Sequence, residues 1–216
     1  MHNTVKNLIY IEELIKSKAN HDKLAQIIAV SKTFPIENIL PLIEHGHIHY
    51  GENRVQEALD KWSDIKLKVG SIKLHLIGKL QTNKVKFALK IFDYIHSLDS
   101  EKLATKISEE QIKQEKKPKI FIQVNIGSED QKSGITKERL GDFYNFCKNL
   151  NLDIIGTMCI PPNDGNTENY FSEMNKINQE LKFKELSMGM SGDYLVAIKN
   201  NATYVRVGSK IFGNRT

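Results

Sequence analysis

The sequence predicts a (β/α)8 barrel of the TIM type with an extra N-terminal helix, and three observations predict it. Short apolar runs alternate with amphipathic stretches about eight times along the 216 residues. The runs are near-continuously apolar, as parallel strands covered on both faces require. Polar residues unusual for strands collect at the C-terminal ends of these runs, where the βα loops of such a barrel form its mouth. No composition shift or Gly/Ser/Pro linker breaks the pattern, so residues 1–216 read as a single barrel domain. An open doubly wound sheet is the alternative, and about eight units in a chain of this length favour the closed form.

The opening segment carries Val5, Leu8, Ile11 and Ile15 at helical spacing behind a cap at Asn3 or Thr4, a helix that covers part of the core. The first strand spans 27–32 and is broken by Thr33-Phe34-Pro35, with a helix over 36–44. The second spans 47–51, with a helix over 54–61, and the third 74–78, with a helix over 83–90. A weaker fourth strand at 94–97 precedes a long charged helix over 100–115. Ile120-Phe121-Ile122-Gln123-Val124-Asn125 is the clearest strand, followed by a helix over 138–149. The last three strands are expected at 154–158, 185–190 and 204–208, with helices over 168–181 and 193–199 between them.

Composition narrows the function. The net charge of +5 and pI near 9.0 raise nucleic acid as a partner, but the lysines are scattered among Glu and Asp. The one dense cluster, Lys113-Gln114-Glu115-Lys116-Lys117, reads as a helix end before Pro118, so no nucleic-acid binding is expected. Cys147 and Cys159 have neither CxxC nor metal-ligand spacing, which fits two reduced thiols in a cytoplasmic protein. Nothing resembles a signal peptide or approaches a membrane span. His47 and His49 share a strand face, yet no carboxylate or cysteine completes a set, so no metal site is expected.

Three stretches carry the chemistry. Lys32 ends the first strand, either as a solvated loop residue or as an amine placed for reaction. Leu186-Ser187-Met188-Gly189-Met190-Ser191-Gly192-Asp193-Tyr194 runs from a strand through glycines into a helix, a turn whose N–H groups can approach an anion. Ser191 can donate to a phosphate oxygen and Asp193 can cap the helix. The alternative is an ordinary glycine-containing βα turn. In Val205-Arg206-Val207-Gly208-Ser209, strand alternation puts Arg206 and Gly208 on one face. A buried arginine there needs an anion or polar ligand, or else a structural salt bridge. Phosphate sites after the last two strands recur in this architecture. A lysine facing a phosphate site points to pyridoxal phosphate, because a buried amine loses its proton more readily and attacks the aldehyde to form a Schiff base.

The chain resembles the YggS/PROSC family of pyridoxal-phosphate-binding proteins, which is similar to the N-terminal barrel of alanine racemases. The runs AVSKT, YGENRVQEA, HLIGKLQTNK, IQVNIGSEDQKSGI, GTMCIPP, LSMGMSGD and VRVGSKIFGNR carry the resemblance over essentially the whole chain. It implies a covalent aldimine of pyridoxal 5′-phosphate on Lys32, with Asn53 beside the ring and Arg206 facing the pyridine nitrogen. Ser191, Gly208 and Ser209 are implied as phosphate ligands. Ser209 stands where the family more often has threonine, Lys79 where proline is common, and Gly192 where a larger residue is common. Lys84 and Lys132 lie near the expected mouth, as solvated lysines or as helpers of the cofactor. Glu52 and Glu57 either hold the loop around Asn53 or do chemistry.

The resemblance implies vitamin B6 homeostasis, with an amino-acid racemase or related enzyme of low activity as the alternative. An electron sink needs a protonated pyridine nitrogen, which an acidic partner usually secures, and arginine cannot play that part. Two-base racemisation needs a tyrosine that alanine racemases take from a C-terminal β-domain, and no such domain is expected beyond Thr216. The expected protein is therefore a cytoplasmic, monomeric cofactor carrier with pyridoxal-phosphate acceptor enzymes as partners.

Overall fold

The computed structural model describes residues 1–18, 24–129 and 133–213. After helix α1 (Asn3–Lys18), strands and helices alternate: β1 (Gln26–Val30), α2 (Leu40–Glu44), β2 (His49–Glu52), α3 (Val55–Lys68), β3 (Lys73–Leu76) and α4 (Val85–Ile91). The second half runs β4 (Tyr94–Leu98), α5 (Glu101–Gln114), β5 (Lys119–Val124), α6 (Leu140–Asn149), β6 (Asp153–Cys159), α7 (Thr167–Glu180), β7 (Glu185–Met190), α8 (Tyr194–Lys199), β8 (Tyr204–Val207) and α9 (Ser209–Phe212). Each strand pairs in parallel with its sequence neighbour and β1 pairs with β8, closing the eight-stranded barrel that the alternation predicts.

The elements follow from their residues. In α5 the Ser100 hydroxyl accepts from Leu103 N–H and Glu101 sits in the positive first turn. Helix α1 buries Val5, Leu8, Ile11 and Ile15, the apolar positions of its pattern. It lies along α8 and α9, with Asn7 Nδ2 donating to the Ile211 carbonyl at 3.0 Å. The larger core lies between sheet and helices around Trp62, Phe143 and Phe171, all of them fully buried. A second cluster, Ile28, Tyr94, Phe121, Met158 and Tyr204, fills the barrel itself.

Three local expectations are corrected. The helix expected over 36–44 is a 3-10 turn at Ile36–Asn38 followed by α2, because Pro41 lacks the N–H that a continuous helix would use. The second strand begins at His49. Residues 45–48 turn around Gly46 (φ 94°), and His47 Nε2–H donates to the His49 carbonyl at 2.9 Å. Helix α9 was not expected, since its four residues lie between Gly208 and Gly213. Among the described residues no helix is long and apolar enough to cross a membrane.

Candidate functional site

Lys32, Asn53, Ser191, Arg206, Gly208 and Ser209 all line one cavity of about 730 Å³ at the C-terminal mouth of the barrel. Positions 125–186 in sequence therefore contribute little to it, while the ends of β1, β2, β7 and β8 converge. The walls between the polar groups are Val30, Phe34, Ile77, Ile160 and Met190, which sequence reasoning missed. Their signal was available: most stand at or just past a strand end. Phe34 is fixed by stacking on Phe212 with centroids 5.0 Å apart.

Lys32 is half-buried and follows β1 by two residues. Its turn is held from α3. Thr33 has φ 67°, a left-handed conformation that a β-branched residue keeps only under outside support. Glu57 Oε1 supplies that support by accepting Thr33 N–H at 2.6 Å. Lys61 Nζ donates to the Ser31 carbonyl, Glu52 Oε1 and Glu57 Oε1, each at 3.0 Å. Glu52 Oε1 also accepts from Ser31 Oγ at 2.8 Å and Trp62 Nε1 at 3.0 Å. Burial alone would raise the Glu57 carboxyl, but the Thr33 N–H and the Lys61 ammonium outweigh it and hold the group below its usual range. Both glutamates thus brace the loop.

Asn53 sits just past β2, where its Oδ1 is buried without a hydrogen-bond partner. Gly78 permits that placement, because a Cβ there would overlap the Asn53 backbone. Across the mouth, the β7–α8 turn needs glycine at 189: φ is +89°, and a Cβ would stand 2.5 Å from that of Ala197. Asp193 occupies the cap position of α8 but makes no cap bond. Its Oδ1 accepts the Met190 N–H at 2.6 Å and tightens the turn instead. Ser191 Oγ accepts the Gly208 N–H at 3.1 Å, tying the last two βα loops together and leaving the Ser191 hydroxyl proton to donate. Ser209 begins α9 beside it. The departure at Gly192 is sterically neutral, with nothing within 4 Å of a Cβ.

Arg206 is only 4% exposed. Its Nη1 donates to Ser187 Oγ at 2.7 Å and its Nη2 to the Cys159 carbonyl at 2.8 Å, and among the described residues no carboxylate pairs with it. Among the described residues a structural salt bridge is therefore not its explanation. Burial pushes the guanidinium below its ordinary pKa, opposed by Cys159 and Asp193. Lys84 stands outside the cavity lining, its Nζ 5.9 Å from the Phe87 ring centroid, and Lys132 lies outside the described residues. A second cavity of about 470 Å³ at the foot of the barrel, between α1 and the start of β2, has no comparable convergence of strand-end groups.

A parallel barrel whose mouth carries an amine, two hydroxyls and a guanidinium that no carboxylate pairs among the described residues defines a class of small-anion and cofactor-binding barrels. The family model for the alanine racemase N-terminal domain matches residues 11–216. The chain is 37% identical over 215 residues to the pyridoxal phosphate homeostasis protein of Aquifex aeolicus, covering 95% of this chain and 93% of that protein. It is 38% identical over 204 residues to the protein of that name from Vibrio cholerae, covering 88% and 85%. The chain belongs to the alanine racemase N-terminal domain family, among the pyridoxal phosphate homeostasis proteins. PipY of Synechococcus elongatus, solved with PLP bound, superposes with a TM-score of 0.86 at 31% identity, covering 97% of this chain and all of that one. An alanine racemase of Clostridium difficile shares the fold at TM-score 0.72 and 16% identity, with 57% of that chain covered.

Proposed function

We propose that this protein binds pyridoxal 5′-phosphate at the barrel mouth, holds it covalently on Lys32 and serves intracellular homeostasis of the vitamin B6 cofactor. One observation carries the reading: six groups drawn from four strand ends meet in a single cavity, where among the described residues Asn53 Oδ1 has no hydrogen-bond partner and the Arg206 guanidinium has no carboxylate partner. The donor set fits the ligand. Ser191 and Ser209, with Gly208 between the loops, hold the phosphate. Arg206 faces the ring nitrogen, Asn53 lies beside the ring, and Lys32 meets the aldehyde. When bound, the cofactor supplies an electrophilic carbonyl carbon and, with its ring nitrogen protonated, an electron sink.

Arg206 sets the balance between carrier and enzyme. A buried cation beside the ring nitrogen disfavours protonation there, so the protein's own chemistry favours holding the cofactor over turning a substrate over. The same reading makes residues 1–216 one pyridoxal-phosphate-binding domain that acts as a cytoplasmic monomer and passes cofactor to acceptor enzymes. Its two thiols accord with a reducing compartment: burial pushes both Cys147 and Cys159 up to about 12, which leaves them unreactive.

Borohydride treatment of the loaded protein is expected to fix a mass adduct on the peptide containing Lys32, and Lys32→Ala is expected to lose the visible band. An adduct on another lysine sinks the assignment. Steady racemisation of alanine or serine by homogeneous protein would overturn the carrier role.

A further inference from the structure

Three histidines stand inside the barrel beyond the reach of the mouth cavity: His49 on β2, His75 on β3 and His96 on β4. Strand register explains why they meet. His49 lies opposite Lys73 and His75 opposite Tyr94, so each next histidine sits two residues further along the neighbouring strand, and the pleat turns all three inward. His49 Nδ1 faces His75 Nε2, His75 Nδ1 faces His96 Nε2, and His96 Nδ1 faces Ser187 Oγ, each at 2.9 Å. Arg206 Nη1 donates to the same hydroxyl at 2.7 Å. The line runs from the guanidinium to His49, which borders the cavity at the foot.

The line has one direction. Arginine only donates, so Ser187 Oγ accepts from it. Among the described residues the Ser187 proton has a single acceptor, His96 Nδ1. A neutral imidazole has one donor and one acceptor, so His96 must carry its proton on Nε2 and give it to His75 Nδ1. The same step fixes His75 and then His49 as Nε2–H forms. Burial supports neutrality, pushing His75 and His96 well below their ordinary value and His49 to about 4. The rings are clamped, His75 on Tyr94 at 4.1 Å and 14°, His96 on Phe121 at 4.3 Å and 23°.

We propose that Ser187, His96, His75 and His49 are positioning residues for Arg206, a one-way column of hydrogen bonds that holds the guanidinium toward the mouth and spreads its buried charge. Every acceptor lone pair in the column points toward the cation, and such chains polarise cooperatively. A carboxylate partner would also hold Arg206, but it would cancel the positive charge that the mouth offers a ligand. A neutral column stabilises the charge and keeps it available.

The test has two arms, and only the second rests on the cofactor reading. Long-range proton–nitrogen spectra of the unliganded protein at pH 7, labelled with 15N-histidine, are expected to show His49, His75 and His96 as neutral Nε2–H imidazoles. Ser187→Ala is expected to shift all three, including His49 at the far end. A protonated imidazole or an Nδ1–H form among the three in the native protein overturns the column, as does a Ser187→Ala spectrum changed at His96 alone. The native spectrum decides even if that variant does not fold. In the second arm, Ser187→Ala is expected to bind pyridoxal 5′-phosphate about tenfold more weakly, the scale of a lost hydrogen bond to a charged group, with inorganic phosphate affinity unchanged. An unchanged affinity for pyridoxal phosphate, or an equal loss for both ligands, overturns positioning. Native protein that takes up no pyridoxal phosphate sinks the cofactor reading, and the imidazole spectra still decide the column.

Discussion

Lowering the pH from about 6 to about 5 is expected to destabilise the fold by about 2 kcal/mol or more. Three buried histidines and the half-buried His47 drive this. Burial pushes His47 and His49 from 6.5 to about 4, with Lys73 adding to the shift at His49, and it pushes His75 and His96 well below 6.5. The unfolded chain takes up protons as pH falls through 6.5, while in the folded chain His47 and His49 refuse them until about 4 and His75 and His96 resist them in the same sense. Between those values the unfolded state binds more protons, so stability is complete above the window and is lost on acidification. Over that pH unit His47 and His49 contribute about 1 kcal/mol each, and His75 and His96 act in the same direction. Urea unfolding at pH 7, 6 and 5 checks the result. A midpoint that does not move between pH 6 and 5 would show that the histidines accept protons in place.

That acid sensitivity comes from the part of the protein least legible in its sequence. The barrel was legible because apolar runs and amphipathic helices are local patterns. So was the shared position of Lys32, Asn53, Ser191, Arg206, Gly208 and Ser209 at the mouth, because parallel strands bring all their C-terminal ends to one side. His49, His75 and His96 are separated by 26 and 21 residues, and their contact depends on the stagger between strands, which no local pattern records. Glu52 and Asn53 show the finer limit. They are adjacent at the end of β2, yet one turns outward to Trp62 and the other lines the cavity. Whether Glu52 was brace or reactant depended on where α3 would lie.

Replacing Lys61 with methionine is expected to cost about 3 kcal/mol and to slow capture of the cofactor at Lys32, because the lost partner leaves a buried charge uncompensated. The Glu52 side chain is fully buried and that of Lys61 only 10% exposed, so the pair is screened little by water. Among the described residues, Glu52 without the ammonium keeps only the Ser31 hydroxyl and the Trp62 N–H, its Oε2 having no partner already. The Ser31 carbonyl loses its side-chain donor at the same time, one residue before Lys32. Thr33, at φ 67°, then depends on Glu57 alone. Adding Glu52→Gln to the methionine variant removes the stranded charge and is expected to recover roughly half of the lost stability. It is not expected to restore the rate of borohydride-trapped adduct formation, since Ser31 and Thr33 stay unbraced. Urea midpoints and trapping rates on the single and double variants separate the two effects. If stability and trapping return together in the double variant, the network serves only to neutralise Glu52. If stability alone returns, Lys61 is the group that places the turn carrying Lys32.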